Sequence, residues 1–166
     1  MDPLTHLVGP QQIALDLDVH GKTEALHALA TLLNRECRIE AEPIFRALNR
    51  REQAGSTGVG NGLAIPHARI AGIVEPVTLF ARTKSPIRFG ALDGKPVSEF
   101  LVILVPAEDA TETHLQLLRA VAEMFSDRAF RAALAAATSV PAVAGLFARW
   151  GNRHDGTELE VLQGLS

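Results

Sequence analysis

Three features of this 166-residue chain predict an α/β fold. IALDL at 13–17 alternates apolar and polar residues as a half-buried strand does, and KTEALHALATLLNRE then switches to helical spacing. FLVILV at 100–105 is continuously apolar, as in a strand covered on both faces. From Thr111 onward the spacing is helical again.

In the first helix Leu26, Leu29, Leu32 and Leu33 share a face, which predicts a core-facing stripe. EPIFRALNRRE reads as a second, short helix: Pro43 suits a first turn, Arg50 and Arg51 suit a last turn, and Gly55 can end it just beyond. GLAIP is extended, because proline biases the residue before it away from helix, and His67 is thereby expected at the end of a strand. VTLFART at 77–83 and SEFLVILV at 98–105 read as further strands, joined by IRFGALDGKP with turn residues at Gly90, Asp93 and Gly94. Three helices follow in THLQLLRAVAEMF, SDRAFRAALAAA and SVPAVAGLFARW, with Ser126 and Ser139 as expected caps. No linker or repeat is evident, so residues 1–150 are read as a single domain and 151–166 as a polar, loosely held tail.

The composition, 47% hydrophobic and 21% charged, suits a soluble globular domain. A net charge of -3 offers no basic field for nucleic acid. One cysteine, Cys37, excludes an internal disulfide and a cysteine-built zinc cage. The opening MDPLTHLVGPQQ lacks a secretory pattern and no apolar run reaches membrane-spanning length, so a cytoplasmic protein without membrane insertion is expected.

GSTGVGNGLAIPHAR at 55–69 combines a bare backbone with a histidine held behind a proline. Phosphate-loop and dinucleotide motifs both fail on spacing: HGKT at 20–23 has Asp16 where a glycine is required, and the third dinucleotide glycine falls on Leu63 or Ile65. AGSTG imitates a nucleophile elbow with Ser56 as the attacking group, but a charged helix precedes it where a strand is needed. What remains is an imidazole in a hollow rich in hydrogen-bond donors, suited to taking up phosphate. The amides around Gly58 and Gly60 and the hydroxyls of Ser56 and Thr57 are candidate donors to such an anion; the alternative reading makes these residues turn formers.

REQAGSTGVGNGLAIPHAR at 51–69 together with LVPAEDATETHLQLL at 104–118 resembles the enzyme IIA proteins of the mannitol/fructose class of the bacterial phosphotransferase system, in their nitrogen-regulatory branch. The resemblance implies a three-layer α/β/α sandwich with a mixed central sheet of about four to five strands. It implies a phosphoryl group carried on His67, through Nε2, and donated by the phosphohistidine of an HPr-like phosphocarrier. It also implies His114 as an assisting residue and Arg51 as a stabiliser of the phosphoryl group. No cofactor or metal is expected. Ala68 stands where many members have glycine, which implies a restricted turn after His67.

Thr113 with Gln116, or Asp109 with Glu112, can open the helix that carries His114, placing that residue in its early turns, where an anion is favoured. Zinc held by His67 and His114 is a competing reading that needs a third ligand from Asp109 or Glu112. The short chain favours the regulatory branch over a sugar-specific component. Two functional classes follow: a phosphotransferase component that passes the group to a downstream acceptor, and a binding module for regulatory protein targets in which phosphorylation is only a switch.

Overall fold

The computed structural model describes residues 8–108 and 111–151, the side chains of 111–113 excepted. The chain resolves into two compact units, Ala14–Asp109 and Met1–Ile13 with Ala110–Ser166.

The first unit carries the sheet. Strand β1 (Ile13–Leu17) leads into helix α1 (Lys22–Cys37) and helix α2 (Ala41–Gln53). Leu26, Leu29 and Leu33 of α1 are buried and Leu32 packs against the same cluster, as the helical stripe predicts. Helix α1 stops where Arg38 turns left-handed, at φ 58°, and donates its amide to Asn34. Strands β2 (Gly58–Gly60), β3 (Leu63–Ala64), β4 (His67–Ile70), β5 (Val77–Ile87) and β6 (Val97–Pro106) follow. The sheet is six-stranded in the order β1-β5-β6-β3-β2, with β4 also pairing β6.

The mixed α/β architecture is as expected, with more strands than the four to five anticipated. The addition is the β2–β3 hairpin, whose two turn residues, Asn61 and Gly62, have φ of 58° and 76°. Two successive left-handed residues are what a tight two-residue hairpin demands, and Asn-Gly supplies them.

β6 organises the unit. β5 runs antiparallel to it from Val77 opposite Leu104 to Arg82 opposite Glu99, then bulges before Ile87 opposite Val97. In the bulge the buried Thr83 donates its hydroxyl to Ser85 O at 2.7 Å. On its other side β6 receives β3 and β4, both parallel: Leu63 lies opposite Glu99 and His67 opposite Ile103. The residue offset is the same in both pairs, so β3 and β4 are one strand interrupted at Ile65–Pro66. Every residue from Phe100 to Val105 is buried, in accord with the run's continuous apolarity.

The second unit contributes a short 3-10 turn (Pro10–Gln12), helix α3 (Thr111–Ser126), helix α4 (Arg128–Ala136) and a helix α5 over 140–151. Its interior is aromatic: Phe130 meets Phe125, Phe147 and Trp150 edge-on at centroid distances of 5.4–5.6 Å. Ser139 caps α5 as expected, accepting from Ala142 N at 3.2 Å. Ser126 does not cap α4: its hydroxyl donates back to Glu123 O at 2.6 Å, and Asp127 accepts from Phe130 N instead. A carboxylate is a purely accepting cap, whereas a hydroxyl at the end of the preceding helix is drawn to its unpaired carbonyls. Since α3 begins at Thr111, Thr113 lies inside it and is not its cap. Asp109 and the tail beyond Gly151 fall outside the described residues, and Gly151 itself is helical and buried.

Candidate functional site

His67 opens strand β4; it does not end one, as the sequence suggested. Proline has no amide hydrogen, so the ladder along β6 cannot continue through residue 66. The Pro66 carbonyl still accepts from Ile103 N at 2.9 Å, while Ile65 turns away and donates its amide to Thr57 O at 2.9 Å. The Ile65 carbonyl receives His67 Nδ1 at 2.8 Å. Ile65 faces the hairpin side, where the Thr57 amide donates to Glu52, and its carbonyl is left for the imidazole.

The other ring nitrogen meets Arg51, from the last turn of α2: Arg51 Nε lies 3.2 Å from His67 Nε2. Arg51 is itself fastened by a 2.9 Å bond from Nη1 to Gly55 O. A carbonyl can only accept and a guanidinium N–H can only donate. The proton therefore sits on Nδ1 and the lone pair on Nε2. Burial lowers the histidine's pKa from its ordinary value, the Ile65 carbonyl opposes that shift, and the Arg51 charge adds to it. The result is a neutral ring of one tautomer. It is only half-buried, so a visiting molecule can reach it.

The glycine-rich arm shows a different use of its residues. Ser56 Oγ donates to Phe89 O at 3.0 Å and accepts from Gly58 N at 3.1 Å. Thr57 is buried and gives both its amide and its hydroxyl to the carboxylate of Glu52. A Cβ on Gly58 would stand 2.7 Å from Ala91 Cβ, so that glycine permits a close backbone approach. Gly60 has φ of 101°, a conformation that side chains rarely adopt. These hydrogen bonds and contacts are those of turn formers.

His114 is the fourth residue of α3, in its early turns, and is half-buried. Ala68 is followed by no turn: it continues β4 opposite Leu104, where alanine fits as well as glycine. Lys22, the lysine of HGKT, sits at the start of α1 and pairs with Glu52 at 2.8 Å. Neither Lys22 nor Glu52 stands out in the sequence. Their pairing joins residues thirty positions apart, and no local spacing announces it.

The α/β fold thus presents, where proline interrupts a parallel strand, an imidazole held in one tautomer between a carbonyl and a guanidinium. The chain belongs to the family described as phosphoenolpyruvate-dependent sugar phosphotransferase system, EIIA 2, whose model matches residues 6–149. It is 42% identical over 127 residues to the "Nitrogen regulatory protein" of Pseudomonas aeruginosa, covering 76% of this chain and 81% of that one. Among solved structures it is similar to the nitrogen regulatory protein IIA-Ntr of Neisseria meningitidis, with a TM-score of 0.80 and 38% identity over 87% of this chain and 98% of that one. IIA mannitol from Escherichia coli shares the fold, with a TM-score of 0.70 and 22% identity over 84% of this chain and 98% of that one. No helix among the described residues is long and apolar enough to cross a membrane.

Proposed function

We propose that this chain is a cytoplasmic, regulatory enzyme IIA component, a single domain over residues 1–150, that accepts a phosphoryl group on Nε2 of His67 from the phosphohistidine of an HPr-like carrier. The observation that carries this reading is the tautomer. Ile65 O at 2.8 Å from Nδ1 and Arg51 Nε at 3.2 Å from Nε2 leave the lone pair on the nitrogen that faces away from its own backbone. In the transfer, that lone pair forms the new N–P bond as the donor's N–P bond breaks, and the donor imidazole leaves with the bonding electrons. The Nδ1 proton stays in place, and the Ile65 carbonyl supports the positive charge that develops on the ring. A loose, in-line transfer asks for positioning and charge more than for covalent help.

Arg51 has two parts in this scheme. Before transfer its Nε–H covers the lone pair; during transfer it moves onto the phosphoryl oxygens, where a guanidinium is a strong donor. His114 is proposed as a further donor to the phosphoryl group. Of the glycine-rich arm, the backbone around Gly58 and Gly60 shapes the hollow, while Ser56 and Thr57 hold it together.

The regulatory assignment rests on the 42% identity to a nitrogen regulatory protein matched over most of its length. Phosphorylation adds a charge of about -1.5 to -2, enough to change which protein target docks beside the histidine or to make the group available to a downstream acceptor. Incubation with a phosphorylated HPr-like carrier, followed by intact-mass measurement, tests the acceptor. Wild type gains one phosphoryl group and His67→Gln gains none; equal labelling of the two rejects His67. Capture of partners by wild type and by the same variant, with and without carrier, tests the switch, which fails where binding never responds.

A further inference from the structure

We propose that Glu52, anchored by Lys22, is a positioning residue that holds the backbone side of the His67 ring while its neighbour Arg51 holds the other. The inference rests on the reading of His67 as the phosphoryl acceptor.

Arg51 and Glu52 are consecutive in the last turn of α2 and diverge by the roughly 100° that separates neighbours on a helix. Arg51 points to the imidazole and meets Nε2 directly. Glu52 points inward, its carboxylate only 2% exposed, and is matched there by three donors. One carboxylate oxygen takes Thr57 N at 3.0 Å and Lys22 Nζ at 2.8 Å; the other takes the Thr57 hydroxyl. Thr57 is thus clamped by backbone and side chain together.

The clamp continues to the ring through two more bonds. Thr57 O accepts from Ile65 N at 2.9 Å, and Ile65 O accepts from His67 Nδ1 at 2.8 Å. Ile65 faces away from β6, as alternate residues of a strand do, so its amide is held by Thr57 and not by the β6 ladder. Lys22 makes the arrangement affordable, because a carboxylate buried without a cation is strongly disfavoured. Lys22 also donates to Phe89 O at 3.1 Å, the carbonyl that accepts from Ser56. The start of α1, the end of α2 and the turn beside the hairpin therefore meet at one ion pair.

The test uses the full chain as wild type, E52Q, T57V, K22M and K22R, each confirmed folded by circular dichroism. Two quantities are read: the ¹⁵N shifts of the unmodified His67 ring, which report its tautomer, and the rate of labelling by phosphorylated HPr-like carrier. T57V replaces a hydroxyl by a methyl and E52Q a carboxylate by a neutral amide of the same shape, so both are mild enough to keep the fold. Expected is labelling slowed about tenfold or more in E52Q and K22M. Ring shifts in the same variants move toward a mixture of tautomers, T57V gives a smaller effect of the same kind, and K22R restores wild-type behaviour. Labelling at the wild-type rate in folded E52Q and K22M overturns the inference, as does slowed labelling with ring shifts unmoved. Failure of wild type to be labelled at His67 removes the acceptor reading instead, and the ring shifts of the variants then decide the positioning role by themselves.

Discussion

The two flanks of β6 differ in a way that locates the chemistry. On one flank β5 pairs residue by residue from Val77 to Arg82, with Leu79, Phe80 and Ala81 fully or almost fully buried. On the other flank β3 and β4 keep a single offset but break at Ile65–Pro66. Over Val77–Arg82 the regular flank uses its backbone groups on neighbouring strands and contributes stability. The flank that carries β3 and β4 leaves the Ile65 carbonyl, which faces away from β6, to the imidazole, and that carbonyl sets the tautomer of His67.

Substitutions on each side test how separable these roles are. The largest stability effect is expected from Phe80→Ala on the regular flank, where loss of a fully buried ring costs about 3–5 kcal/mol. Urea unfolding measures this, and where the variant remains folded its His67 ring signals are unchanged; a shifted tautomer would show that the flanks are coupled. Gly58→Ala comes next, at about 1–3 kcal/mol, because the added methyl meets Ala91 Cβ at 2.7 Å. Here the loss comes with altered ring signals, since the displaced segment is the one that holds Ile65 through Thr57 O.

Pro66→Ala is a smaller change in stability, about 0.4–1 kcal/mol from the freer unfolded chain. It restores an amide at the interruption, and the labelling rate falls while the melting temperature hardly moves. An unchanged rate would show that the break needs no proline. The smallest effect is on the pH profile. With the folded pKa of His67 below the unfolded value of about 6.5, the unfolded chain binds more protons between the two. The contribution to stability is fully present above about 6.5 and is lost as pH falls through the folded value. His67→Gln removes that part of the slope in pH-dependent unfolding; an identical slope in both proteins would mean that burial does not favour the neutral ring.

Much of this arrangement is legible in the residue pattern alone. The stripe of Leu26, Leu29 and Leu33, the helix ending near Arg51, the buried run of β6 and the proline that restrains His67 all follow from local pattern. The Asn61–Gly62 turn is equally legible, since Asn-Gly is a strong hairpin signal; reading its glycines as part of an anion loop conceals the β2–β3 pairing. Ser126 and Asp127 are competing caps one position apart, a choice that local pattern decides poorly.

By itself, the sequence determined which segments become helix and strand, which face of α1 is buried and where an imidazole is held behind a proline, because these depend on neighbours a few positions apart. Only the tertiary structure decided that Arg51 covers Nε2, that Ile65 turns its carbonyl to Nδ1, that Glu52 answers Lys22 and Thr57, and that Gly58 must pass close to Ala91. The reason is physical. Except for the Ile65 bond and the Glu52–Thr57 pair, each of these contacts joins segments that the sheet and helices must first bring together, and the carboxylate of Glu52 is held where it is by the distant Lys22. Hydrogen-bond direction and close packing are settled by that meeting in space.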